Sequence, residues 1–401
     1  MNKNINLSYI IDYEIGDVSV KTSYIDYLSK ISGKKNFYII DLSYFLFCRS
    51  KKNYLKNKKY KKFFFQPKNF FELFQFFKNK KIYAVGPMYG TLNSLYIHLL
   101  LRIFCVKLIY INFWGFYLNV GMSKKKIEEN IYSKFIYFIN IKLYYYFYRV
   151  FSVLGILPKI TFNFEISSKR IDDLKKSFGF KFSQKFNSEI FKYYLNIKRI
   201  NSIFYDRIYL SNKKKLEKNF IVVVDSGYID HPDFDLRTYL SSQQKKVIRK
   251  IHYDRLFSIL DTIKYKSKKK VIFCKHPKTN YNNDCIKSKK QNYIFTKGKT
   301  EKYISRADMV IFTGGSSLIN FAILNKKKIL IILNKHANYS HHLVSSLTNQ
   351  LSLKVTILKD NFNFNYKKLD HELNAKIKHY DKFISRHLIY KRNITSYSQI
   401  K

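Results

Sequence analysis

Short apolar runs alternate with longer segments of helical spacing along most of the chain, and the alternation occurs twice. In the first half, 35–41 (KNFYIID), 62–66 (KFFFQ), 81–86 (KIYAVG) and 106–112 (VKLIYIN) read as strands. Between them, 69–80 (NFFELFQFFKNK) and 91–104 (TLNSLYIHLLLRIF) carry apolar residues at helical intervals. That rhythm predicts a parallel sheet covered by helices on both faces. Beyond residue 218 it resumes more sharply, with strands over 219–225 (NFIVVVD), 270–274, 308–313, 327–334 and 353–358. Helices are expected over 241–265, with Ser241 or Ser242 as cap, over 299–307 and 314–325, and as one long helix over 366–390.

The expected fold class is α/β, with two Rossmann-like domains facing across a cleft. A chain of 401 residues is long enough for two cores. Residues 160–218 are less regular and end in a Lys-rich turn at 212–219. The domains are therefore read as 1–210 and 211–365, with 366–401 a terminal helix free to pack back on the first domain. No internal repeat or low-complexity linker interrupts them.

Ligands of open α/β sheets bind beyond the carboxyl ends of the strands. Three such ends carry polar residues. The strand 308–313 runs into Gly314-Gly315-Ser316-Ser317 and then a helix. The glycines permit close backbone approach, and a helix start with two hydroxyls suits a phosphate. It is neither a Walker loop nor GxGxxG, and a strand–turn–helix with serine caps reads equally well. The strand 270–274 ends in Lys275-His276-Pro277-Lys278. Pro277 biases His276 towards an extended conformation, and the lysines make its surroundings attractive to anions. A histidine held there can donate to a phosphate oxygen or protonate a leaving group; a turn with a satisfied imidazole is the alternative. The strand 219–225 ends in Asp225-Ser226-Gly227, where Asp225 is either a general base or an Asx turn. Asp233-Phe234-Asp235 matches a metal-holding triplet without its usual context, and His231-Pro232 repeats His-Pro in an acidic loop. No metal site is expected.

The formal net charge is +48. The chain is also rich in Lys, Asn, Ile, Tyr and Phe, residues that an AT-rich genome favours, so the charge has two sources to weigh. Either way, such a surface attracts phosphates and anionic lipid, at roughly 1 kcal/mol per Lys near a membrane. No nucleic-acid-binding signature accompanies it. Cys48, Cys105, Cys274 and Cys285 show no CxxC or zinc spacing. Cys274 reads as a buried inert thiol, and a reducing cytoplasm fits. The first 20 residues lack a secretory apolar region. Arg102 and Lys107 interrupt the most apolar stretch, 92–121, which reads as a buried helix followed by a buried strand. The aromatic stretch 130–159 either packs between domains or lies in a headgroup layer.

The C-terminal pattern of a strand, Lys275-His276-Pro277, a second strand, Gly314-Gly315-Ser316-Ser317 and a helix resembles the bacterial sialyltransferases and polysialyltransferases of GT-B fold. Their marks are an acidic motif, an HP motif and paired serines. The likeness covers about residues 219–335; the first half matches only in rhythm. It implies that His276 contacts the phosphate of a CMP-activated sugar and helps the nucleotide leave. Ser316 and Ser317 would bind the same phosphate, with Lys275, Pro277, Lys278, Gly314 and Gly315 around it. Asp225 would be the general base. The family's second acid is here Ser226, so Asp230 and Asp41 stay open as alternatives. Residues 1–210 would take the acceptor and 211–365 the nucleotide sugar.

The implied activity is inverting, metal-independent transfer of sialic acid or another nonulosonic acid to a capsule or lipopolysaccharide glycan. No cofactor is implied. The implied partners are the nucleotide sugar and an oligosaccharide or glycolipid acceptor; the basic surface separately suggests an anionic membrane surface, at the inner face of the cytoplasmic membrane, and no nucleic acid is expected. The alternatives are a polyol-phosphate polymer phosphotransferase, a nucleotide-sugar epimerase, and a non-enzymatic membrane-surface scaffold for polysaccharide assembly.

Overall fold

A computed structural model of the chain describes residues 6–11, 25, 28–29, 37–42, 58–78, 80, 82–85, 92–111, 143, 146–147, 150–151, 154–158, 160–166, 197–210, 219–227, 241–276, 286, 288–289, 291–298, 300–333, 351, 353–357, 365–396 and 399. The chain divides into two compact units, Met1–Gly115 with Lys125–Ile203 and Tyr390–Lys401, and Phe116–Lys124 with Phe204–Ile389.

The first unit holds seven strands: β1 (Asn6–Ile11), β2 (Phe37–Asp41), β3 (Phe64–Phe65), β4 (Ile82–Val85), β5 (Lys107–Ile111), β6 (Ile160–Glu165) and β7 (Ile197–Arg199). They form one parallel sheet in the order β3-β2-β1-β4-β5-β6-β7. Its described helices are α1 (Lys58–Lys61), α2 (Phe70–Phe77) and α3 (Leu92–Ile103). Asn69 starts α2 by accepting from the Glu72 N–H at 2.8 Å, which satisfies one of the helix's free donors. Leu73 and Phe77 of α2 and Ile97 and Leu101 of α3 join Ile10, Ile40 and Ile82 in one core. Asn201, fully buried, anchors the chain's end within this unit. Its Nδ2 donates to the carbonyls of Lys391 and Ile394, and its Oδ1 accepts from the N–H groups of Tyr390 and Lys391.

The second unit holds α4 (Ile203–Leu210), β8 (Phe220–Val224), α5 (Ser242–Ser267), β9 (Lys270–Lys275), β10 (Ile294–Lys297), α6 (Thr300–Ile304), β11 (Met309–Phe312), α7 (Leu318–Leu324), β12 (Lys328–Leu333), β13 (Lys354–Ile357), α8 (Tyr366–Ile377) and α9 (Tyr380–His387). Its sheet is parallel throughout, in the order β10-β9-β8-β11-β12-β13. That is the doubly wound order 3-2-1-4-5-6, and the first six strands of the other sheet follow it too. The chain thus adopts the α/β class with two Rossmann-like units.

Parallel strands buried on both faces favour unbroken apolar runs, and β8, β9, β11 and β12 have them. Ser241 caps α5 in a capping box with Gln244: its Oγ accepts from the Gln244 N–H at 3.2 Å, and Gln244 Oε1 accepts from its N–H at 2.9 Å. At the amino ends of the strands, Asp308 accepts from Lys269 at 2.5 Å and Lys328 at 3.5 Å, and Lys328 also donates to Asp370 of α8 at 2.9 Å. Burial pushes the Asp308 pKa up, but the two lysines more than offset it and leave it below the ordinary value.

Two expectations need correction. The segment 366–390 is two helices, not one. The His379 N–H turns back to Lys376 O at 3.1 Å, a three-residue closure that tightens the last turn of α8. α8 packs on β12 and α5 while α9 packs on α7, so the break lets one apolar stripe serve two neighbours. The helix expected from Gly314 starts at Leu318, because Gly and Ser favour turns and caps over helix interiors. Beyond these, β1, β6, β7, β10, α1 and α4 have no counterpart in the sequence analysis. β1 nevertheless lies between β2 and β4, with its polar Ser8 fully buried.

The expected helix-then-strand reading of 92–121 matches α3 and β5 over residues 92–111; residues 112–121 lie outside the described residues. In the aromatic stretch, Leu143, Tyr146, Phe147 and Leu154 are exposed. Among the described residues, no helix is long and apolar enough to cross a membrane.

Candidate functional site

The order of the second sheet puts its topological switch point between β8 and β11, with β9 on the other side of β8. Cα partners match Cys274, Val224 and Phe312 in one row. The ladder runs one residue further. The Asp225 N–H donates to Cys274 O at 3.1 Å and the Thr313 N–H to Val224 O at 3.2 Å. Counting on in register, the next row holds His276, Ser226 and Gly314. At about 4.8 Å per strand step, that row is roughly 10 Å wide.

Side-chain alternation then decides where each group goes. Ile221 and Val223 of β8 and Met309 and Ile311 of β11 belong to the core that contains Tyr253 of α5. Asp225 and Thr313 follow them at the same parity, so both fall on the face that α5 covers. There the Thr313 hydroxyl donates to Asp225 Oδ1 at 2.6 Å and accepts from the Ser226 N–H at 2.9 Å. Tyr253 donates to Asp225 Oδ2 at 3.5 Å. Ser226 Oγ lies 3.3 Å from Thr313 O. Asp225 is 4% exposed, so its carboxylate is enclosed at the crossover rather than presented to solvent. His252 is buried beside Tyr253, the two rings meeting edge-on at 5.0 Å. Burial pushes its pKa down to about 4, against the opposite pull of the Asp225 carboxylate, so the imidazole is neutral at neutral pH.

At the end of β9, Lys275 and His276 are half-buried. The Lys275 ammonium lies 5.1 Å from the centre of the Phe295 ring on β10, which gives this cation a structural partner as well as a place near the site. Cys274 just before it is buried, and burial pushes its thiol up to about 12 while a hydrogen bond from Thr300 acts the other way. It is the inert thiol the sequence suggested. Pro277 and Lys278 lie outside the described residues, as do Asp230, His231, Pro232, Asp233 and Asp235.

After β11, Gly314 is buried and Gly315, Ser316 and Ser317 are half-buried. Ser316 Oγ accepts from the Leu318 N–H at 3.3 Å. Ser317 has helical backbone (φ −61°, ψ −23°) and its side chain makes no capping bond. The left-handed backbone that favours glycine occurs at Gly227 (φ 62°), beyond β8, and not at Gly314 or Gly315. In the first unit, the alternative acid Asp41 is buried at the end of β2, where Gln66 Nε2 donates to it at 3.0 Å.

The structure therefore brings Asp225, His276 and the Gly314–Ser317 turn to three neighbouring strand ends. The sequence reading did not single out Thr313, Tyr253 or His252. Thr313 could have been found only by aligning β8 with β11, which lie far apart in the chain.

No protein-family model matches the chain, and no curated protein matches it in sequence. Among solved structures, Arabidopsis thaliana UGT89C1 complexed with UDP-L-rhamnose is similar over 98% of this chain and 96% of its own, at 10% identity and a TM-score of 0.49. The wall teichoic acid polymerase TagF is similar over 99% and 88%, at 10% identity and 0.49. The Methanocaldococcus jannaschii UDP-GlcNAc 2-epimerase is similar over 99% and 98%, at 11% identity and 0.44. At these scores the likeness assigns neither substrate nor reaction to this chain.

Proposed function

We propose that the second unit binds a nucleotide-activated sugar across the ends of β8, β9 and β11, and that the chain is an inverting, metal-independent glycosyltransferase of GT-B-like build. The observation that carries this reading is the meeting of three polar strand ends at one switch point of a 3-2-1-4-5-6 sheet. His276 is assigned the donor's phosphate, to which it gives a hydrogen bond and then a proton as the nucleotide leaves. Ser316 still has its O–H proton to donate after accepting from Leu318, and Ser317 spends no bond on capping. These preorganised donors would stabilise the departing charge.

A base takes the acceptor hydroxyl's proton, the oxygen attacks the anomeric carbon, and the bond to the nucleotide's phosphate breaks with its electron pair on the phosphate oxygen. Asp225 is poorly placed to be that base. A base must come within about 3 Å of the hydroxyl it deprotonates, and this carboxylate is already enclosed by Thr313 and Tyr253. Its geometry favours positioning the two loops at the switch point. The HP and paired-serine pattern supports a CMP-linked nonulosonic acid as the first donor to test, with a cytoplasmic reaction feeding a surface glycan.

Thermal-shift titration with CMP, UDP, GDP and CDP-glycerol separates the readings. A ligand at a hundred times its Kd adds about 2.7 kcal/mol of stability. A shift by CMP alone supports the sialyltransferase-like donor. A shift by UDP or GDP keeps glycosyl transfer and changes the donor. A shift by CDP-glycerol alone moves the reading to polyol-phosphate transfer, and no shift at all leaves a scaffold. With the donor so identified, His276→Ala is expected to lower turnover by roughly 100-fold or more, in line with the loss of one such donor. Near-normal turnover overturns the assignment.

A further inference from the structure

α2 is apolar almost all round, yet only Leu73 and Phe77 are buried. Phe70, Phe71 and Phe74 are 44%, 67% and 40% exposed, and Ile103 at the end of α3 is 63% exposed. Phe70 and Phe74 meet through the Phe104 ring, which lies 5.7 Å from the first and 5.9 Å from the second, and Phe71 is three residues from Phe74 on the same side of the helix. Taking about 200 Å² per phenylalanine, the three leave roughly 300 Å² of apolar surface, within the range of the largest and often functional patch on a monomer. Exposed Lys68, Lys78 and Arg102 flank it in the chain. The one acid on α2, Glu72, is turned back on its own helix start, accepting from the Lys68 N–H at 2.9 Å.

We propose that this phenyl face of the first unit docks on an anionic phospholipid surface, with the rings entering the headgroup boundary and the basic residues meeting lipid phosphates. The charge balance favours this occupant: a chain of net charge +48 repels a second copy of itself and is drawn to a negative surface. Single-stranded nucleic acid is the competing polyanion, since phenyl rings stack on bases and Gln75 is exposed on the same helix; three exposed rings together on one largely apolar helix favour lipid. The proposal is independent of which nucleotide the second unit binds.

The test is co-sedimentation of the full chain with vesicles of phosphatidylcholine alone and of phosphatidylcholine with phosphatidylglycerol, at low and high salt. Binding is expected only with phosphatidylglycerol and is expected to weaken with salt. Phe71→Ser should lower the partition coefficient about tenfold, since it removes one inserting ring. Its melting temperature and any nucleotide-induced shift should stay unchanged. Lys68→Gln with Lys78→Gln should reduce the preference for the anionic vesicles. The proposal is overturned if the unmodified chain stays in the supernatant or if the variants sediment as it does. It is equally overturned if Phe71→Ser abolishes a concentration-dependent dimer, or binding of a single-stranded oligonucleotide, instead of vesicle binding. A chain that binds these vesicles but no nucleotide keeps this inference and loses the donor reading.

Discussion

Each unit has a buried aspartate at the end of a strand, and the two are held in different ways. Asp41, the last residue of β2, takes its bond from Gln66, which follows β3, the next strand outward. Asp225, after β8, takes its bond from Thr313, which follows β11 on the far side of the switch point. The first bond ties an edge of its sheet; the second spans the point where an open α/β sheet receives ligands. The exteriors differ as well. The first unit leaves a phenyl face uncovered on α2, whereas in the second the phenylalanines of the sheet and of α5 are packed inward, as Phe273 is against Phe257 and Phe295. One strand order thus carries a polar tie across the switch point in the second unit, and a polar tie at the sheet's edge with exposed phenylalanines on α2 in the first.

The sharpest way to break that contrast is to truncate one phenylalanine from each unit. Phe273→Ala, at a fully buried position, should cost about 3–5 kcal/mol in chemical denaturation. Phe71→Ala should stay within about 0.5 kcal/mol. Comparable losses would mean that the α2 face is covered.

Acid should then affect both units alike. Burial holds His98 of α3 and His252 of α5 at about 4, below the ordinary 6.5. Between those values the unfolded chain binds more protons than the folded one, so stability falls as pH drops from 6.5 towards 4. Each histidine contributes about 3 kcal/mol that is present above 6.5 and lost by 4. His252→Gln should flatten the second unit's share of that slope, read as melting temperature against pH. An unchanged profile would show that His252 does not titrate as its burial requires.

The smallest expected effect concerns the clamp. Thr313→Val strips the Ser226 N–H and the Asp225 carboxylate of a shared partner and should cost about 1–3 kcal/mol. Thr313→Ser should restore most of it. If the valine variant matches the parent in both stability and nucleotide-induced shift, the clamp does not organise the switch point.

Most of the strands and helices were legible in the sequence. The runs FIVVV, KVIFC and KILIIL announced β8, β9 and β12, and the serine pair Ser241-Ser242 announced the start of α5. The polar residues after β8, β9 and β11 could also be picked out, because each follows an apolar run that stops abruptly. Less legible were β1, whose run is broken by Ser8, and β10, which sits at the edge of its sheet and is largely exposed.

By itself the sequence determined what is local: the type of each strongly periodic segment, its caps, and which side chains stand at the strand ends. Periodicity and capping act over a few residues, so a linear reading captures them. Only the tertiary structure decided that Thr313 holds Asp225, that Tyr253 closes over it, that the terminal segment breaks at Lys378–His379, and that three rings of α2 stay in solvent. Those outcomes depend on which strands become neighbours and which helix covers which face. Neighbours are chosen by the burial of surfaces far apart in the chain, and no stretch of sequence states that choice alone.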